Sequence, residues 1–186
     1  MSTLRAQRGT TLLEVLITLV ILAIGLLGLA GLQTRLQASE MEAYQRAQAL
    51  ILLNDMASRI ATNRANAASY ATAAPITAPL GDTTCPTTTS NRQEIDAGDW
   101  CKALQGAGEK LGVDNVGAMV GGRGCVEALP DNEYLITVAW QGLAPISAPP
   151  PSVACGEGEY DGGTACVNDL CRRTVTTIVR IGNLAL

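Results

Sequence analysis

From Val15 to Leu32 the chain is almost wholly apolar, and no residue between Glu14 and Arg35 carries charge. About 20 helical residues rising roughly 1.5 Å each cover a hydrocarbon core of roughly 30 Å. The run therefore predicts a helix able to span a bilayer over residues 12–34. After Arg35 the pattern becomes one-sided: Leu36, Ala43, Ala47, Leu50, Leu53, Ala57 and Ile60 recur at steps of three, four or seven. That spacing continues the same helix in amphipathic form to the neighbourhood of Ala61. A coiled coil is the rival reading, but the steps hold no heptad for long and the opposite face lacks paired charges. The stripe is read as packing on a sheet.

Residues 63–94 are rich in Ala, Thr, Asn and Pro and read as a surface connector pinned by Cys85. In "EIDAGDWCKALQGAGEKLG", Trp100, Leu104, Ala107 and Leu111 fall at helical steps, which predicts a short helix ended by Gly112, with Trp100 anchored in the core. Alternation and β-branching predict strands in "NVGAMVG", "GCVEAL", "EYLITVAWQ" and "TVTTIVRI". Tyr134, Ile136, Val138 and Trp140 share one face of the third, and Val175, Thr177, Val179 and Ile181 one face of the fourth. An antiparallel sheet laid on the long helix buries both apolar surfaces, so the fold class is α+β.

Composition sharpens this picture. The 186 residues allow one domain and an extension, and a hydrophobic content of 47% with no Phe places much of the apolar mass in the aliphatic segment. A formal charge of -4 argues against a nucleic-acid surface. The chain has no His, no G-x-S-x-G elbow and no phosphate-cradling loop, so the reading is not of an enzyme, and no cofactor is expected. Arg5 and Arg8 precede the span without an acid among the first nine residues, which predicts a cytoplasmic N-terminus and an external head. Cys85, Cys101, Cys125, Cys155, Cys166 and Cys171 all follow the span, as disulfides of an oxidising compartment would. Metal binding is the weaker alternative, since no C-x-x-C and no His is present. Sequence leaves the pairing open; a clamp from Cys155 to Cys171 is the expectation, because it closes the long excursion "QGLAPISAPPPSVACGEGEYDGGTACVNDLCRR". Glu157 and Asp161 offer carboxylates to a hard cation, but the spacing fits no EF-hand and reads as a solvated turn.

Gly28-Leu29-Ala30 would suit a signal peptidase, yet the apolar run is longer than an ordinary signal core and an acid interrupts its start. A short basic leader, Gly9, and Glu14 within "GTTLLEVLITLVILAIGLLGLAGLQ" instead resemble the class III prepilin leader of type IV pilins and pseudopilins. The resemblance implies peptidase cleavage between Gly9 and Thr10, N-methylation of Thr10, and Glu14 as the acid that guides subunit docking. Thr10 stands where those families usually have Phe or Met. A local pair between Glu14 and the Thr10 amine is the alternative role for the acid. The implied organisation is a leader, 1–9; a helix, 10–62; a periplasmic head, 63–186; and a pilin-like lollipop anchored in the bacterial inner membrane. The order "EIDAGDWCKAL", "YLITVAWQG", "CRRTVTTIVRI" is similar to the PilV family of minor pilins. That similarity implies the prepilin peptidase, other minor pilins, the major pilin, a tip-associated adhesin and the inner-membrane assembly platform as partners, with the mature protein carried to the pilus tip. A pseudopilin of type II secretion and a membrane-anchored binding module are the other readings.

Overall fold

The computed structural model describes residues 11–71, 79–82, 84–108, 110–112, 114–115, 117 and 119–182. The apolar run and the stripe after it form one helix, α1 (Leu12–Thr62). The chain divides into two compact units, Met1–Met41 and Glu42–Leu186. In the first, every described residue is exposed. The second holds the core, an α+β arrangement in which α1 from Glu42 onward packs on a three-stranded sheet.

The buried stripe of α1 is Gln45, Ala49, Leu53, Met56 and Ile60, with Leu52 and Ala57 partly buried beside it. This corrects the expected stripe: Leu36, Ala43, Ala47 and Leu50 are exposed. The reason is that the segment from Ala49 to Leu53 is apolar on several faces, so residue type alone does not choose among them. The sheet and Trp100 select the face that carries Gln45, although its side chain is polar and 2% exposed.

Past Thr62 the chain turns through a 3-10 segment, Arg64–Tyr70, which buries Ala67 and Tyr70. The second helix, α2 (Arg92–Leu104), opens on Asn91, whose side chain accepts the Glu94 N–H at 3.0 Å. It ends eight residues before the expected Gly112. Gly106 takes a left-handed φ of 76°, while Gly106 N–H donates to the Ala103 carbonyl and Ala107 N–H to Lys102, each at 3.0 Å. These paired bonds close the helix, and a glycine is what permits the turn. Ala107 and Leu111 are therefore outside α2, and Leu111 is exposed.

Two short strands, β1 (Lys110–Leu111) and β2 (Asp114–Asn115), pair with each other. The main sheet is antiparallel in the order β3 (Arg123–Leu129), β4 (Glu133–Gln141), β5 (Arg172–Arg180). Its hairpin between β3 and β4 turns through Asp131 and Asn132 at φ of 61° and 58°, residues that tolerate left-handed backbone. No strand runs through the described part of "NVGAMVG" beyond Asn115, because Val120 and Gly121 form a turn. Tyr134, Ile136, Val138 and Trp140 are all buried in the core with α1, as alternation predicts, and Val175, Val179 and Ile181 are partly buried against it.

Three disulfides join Cys85 to Cys101, Cys125 to Cys155 and Cys166 to Cys171. The expected Cys155–Cys171 clamp is thus not formed. Cys125 lies in β3 opposite Thr137, on the sheet face away from α1, so its bond to Cys155 fastens the excursion onto that face. Arg172, 3% exposed, holds the same segment by donating to the Val153 and Cys155 carbonyls at 2.6 and 3.1 Å and pairing with Asp169 at 3.1 Å. Asp161 accepts the N–H groups of Asn168 and Asp169 at 3.1 and 2.8 Å, which gives its carboxylate a turn-forming role.

Candidate functional site

Thr11 caps α1: the Glu14 N–H reaches its hydroxyl at 3.3 Å and its carbonyl at 3.0 Å. Thr-Leu-Leu-Glu is the sequence form of a capping box, with the Glu at the third helical position. Thr11 is not among the site residues expected from the sequence, although the S/T-x-x-E pattern marks it. Glu14 itself sits in the first turn, exposed, where the unpaired N–H groups of a helix favour an anion. Gly9 and Thr10 lie outside the described residues.

Around and beyond Glu14 the helix offers a surface that is almost wholly apolar as far as Leu32. Leu12, Leu13, Leu16, Ile21, Leu27 and Leu29 are each more than half exposed, and no charged side chain intervenes before Arg35. A face of this extent is not stable in water and requires lipid or other apolar chains. The two hydroxyls along it are satisfied within the helix, Thr18 by the Val15 carbonyl at 2.8 Å and Thr34 by the Gly31 carbonyl at 2.9 Å, which suits a medium without water. By length and composition this is a helix able to cross a membrane.

In the head, Asp96 and Trp100 stand one turn apart on α2 and both grip α1. Trp100 donates from Nε1 to the Leu52 carbonyl at 2.9 Å. Asp96, 1% exposed, accepts from Arg59 at 2.8 Å and Tyr70 at 2.6 Å and pairs with Arg92 at 3.0 Å. Burial alone pushes the Asp96 carboxyl up; the hydrogen bonds of Tyr70 and Arg59 and the charge of Arg92 outweigh it and hold it below the ordinary carboxylate value. The Tyr70 hydroxyl is raised in turn, by burial and by its bond to Asp96. The Asp-x-x-x-Trp spacing within "EIDAGDWCKAL" is thus a fastening of α2 and its Cys85–Cys101 loop to α1 at Leu52 and Arg59. Its partners Arg59 and Tyr70 were not legible, because nothing local links positions so distant along the chain. Further along, Arg173 of β5 pairs with Glu42 at 3.3 Å, a second tie between helix and sheet.

Among the described residues no group of acidic or cysteine side chains is arranged to hold a metal ion. A recess of about 600 Å³, lined by Asp55, Arg59, Arg92 and Asp96, is the solvent side of the Asp96 cluster. Comparison with curated proteins and with solved structures gives no match. Residues 4–30 match the family model described as "Prokaryotic N-terminal methylation motif", and with the exposed apolar helix this supports a membrane-anchored protein of type IV pilin-like kind.

Proposed function

We propose that this chain is a minor pilin that helps to prime a type IV pilus and to build its tip. The observation that carries the reading is the match at residues 4–30 joined to Glu14, a single acid at the head of a helical stretch that is otherwise uncharged up to Arg35 and exposed throughout. On this reading the prepilin peptidase cuts between Gly9 and Thr10 and the new amine is methylated. Methylation leaves it cationic, with a pKa of roughly 8 before modification. Glu14 of the incoming subunit then neutralises the terminus of its neighbour, which sets the axial register of helix on helix. The cost of an acid in lipid, on the order of 2–3 kcal/mol at the bilayer centre, is offset only when such a partner is present.

The prepilin motif is equally compatible with a pseudopilin of a type II secretion system, so the choice of the pilus rests on the head. The Asp96-x-x-x-Trp100 helix and the strand ending in Trp140 resemble minor pilins of the PilV family, with the major pilin, other minor pilins and a tip adhesin as partners. The role is structural: complementary helices and a head surface, with no chemistry at the head. Gly9→Val tests it. Uncleaved protein that stays in the inner membrane and is lost from sheared surface filaments is the expected result, whereas normal filament entry of uncleaved protein, or unchanged function as a simple anchor, contradicts it.

A further inference from the structure

The sheet has two edges, and they are treated differently. On β3, Gly124 exchanges both backbone hydrogen bonds with Leu80, N–H to carbonyl at 2.8 and 2.9 Å, so the connector pairs with that edge at its Gly124 end. On β5 the geometry can be read from both ends. Gly142 N–H donates to the Cys171 carbonyl at 2.8 Å and Ile181 N–H to the Asn132 carbonyl at 3.0 Å, both in line with the β4–β5 register. Backbone groups alternate along a strand, so the odd-numbered residues of β5 bond to β4. Thr174, Thr176, Ile178 and Arg180 then direct their N–H and C=O groups away from the sheet, and among the described residues no strand pairs with them.

Natural edges are commonly blunted by Lys, Pro, Gly bulges or inward charge. From Thr174 to Val179 this edge has none of these: it reads TVTTIV, all β-branched, with Ile178 47% exposed on the outer face. Such a row selects an extended backbone as its occupant. The edge is also compatible with itself. An antiparallel copy centred on Thr177 brings Ile178 opposite Thr176 and Arg180 opposite Thr174, so every outward residue meets an outward residue and no like charges oppose. Moving the centre to Thr176 sets Arg180 against Arg172 instead.

We propose that β5 pairs with β5 of a second copy of this chain, joining the two heads about a two-fold axis at Thr177 into one continuous six-stranded sheet. The interface is isologous. It is confined to one edge and falls short of the roughly 1,200–2,000 Å² of a stable standard interface, so the dimer is weak and concentration-dependent. This pairing does not rest on the filament reading, since it concerns the head alone.

The test uses the full chain in detergent. Sedimentation equilibrium should show a reversible monomer–dimer exchange, and amide exchange should slow at Thr174, Thr176 and Ile178 as concentration rises. Ile178→Pro removes an outward N–H that β4 does not use and should weaken dimerisation by at least an order of magnitude. Ile178→Lys keeps the backbone intact, should act in the same direction, and serves if the proline variant does not fold. Thr177→Cys should give a cross-linked dimer on mild oxidation. A monomer at all concentrations with fast edge amides overturns the proposal, as does a dimer indifferent to both Ile178 variants.

Discussion

Glu14 and Asp96 are two carboxylates with opposite settings. Glu14 is exposed in the first unit without a partner among the described residues, and Asp96 is enclosed in the second by two guanidinium groups and a phenol. If Glu14 marks docking register, Glu14→Ala should leave insertion into the membrane and the thermal stability of the head unchanged while strongly reducing the amount recovered in sheared filaments. Filament content equal to wild type would contradict that role. Asp96→Ala should instead act on the fold. Removing one member of a fully buried ion pair costs about 3–5 kcal/mol; with Arg92 two-thirds exposed (67%), about 2–3 kcal/mol is expected, measurable by chemical unfolding of the head. The pH dependence follows from the depressed carboxyl of Asp96. The unfolded chain takes up the proton first, so the contribution is present above the ordinary value of 3.8 and is lost as pH falls from there through the lower folded value. Asp96→Ala should remove that part of the acid sensitivity. Thr11 has a capping role that is written locally, in the pattern Thr-x-x-Glu.

Among the elements, β3, β4 and β5 were legible because alternation, β-branching and turn residues agree, and α1 because its apolar run is too long for anything else. The early end of α2 depended on choosing among Gly106, Gly108 and Gly112, and only the chain's return towards β3 decides it. Disulfide pairing had no local signal, since Cys125 and Cys155 meet only after the excursion folds over the sheet. Two elements carry testable consequences. The Trp100 ring lies directly on Gly124 of β3, where an added Cβ would overlap it and would also come within 2.7 Å of Leu104. Gly124→Ala should therefore destabilise the head by about 1–3 kcal/mol and shift Trp100 fluorescence. Opening the Cys85–Cys101 loop by replacing both residues with Ser should cost about 3 kcal/mol, given its separation of 16 residues.

For the molecule as a whole, the two units answer to different solvents. The head closes an ordinary core of helix on sheet and fastens its loops with disulfides, while residues 12–32 expose an aliphatic surface that calls for an apolar medium. On the proposed function lipid covers such a surface before assembly, and in the filament the helices of neighbouring subunits replace it. Everything in that exchange depends on a new N-terminus for Glu14 to meet. The most direct test is the intact mass and N-terminal sequence of the protein purified from bacterial membranes. The expected chain starts at Thr10 with one methyl group on its amine and six oxidised cysteines; a chain that still starts at Met1, or one cut near Gly31, rules out docking of Glu14 on a processed terminus.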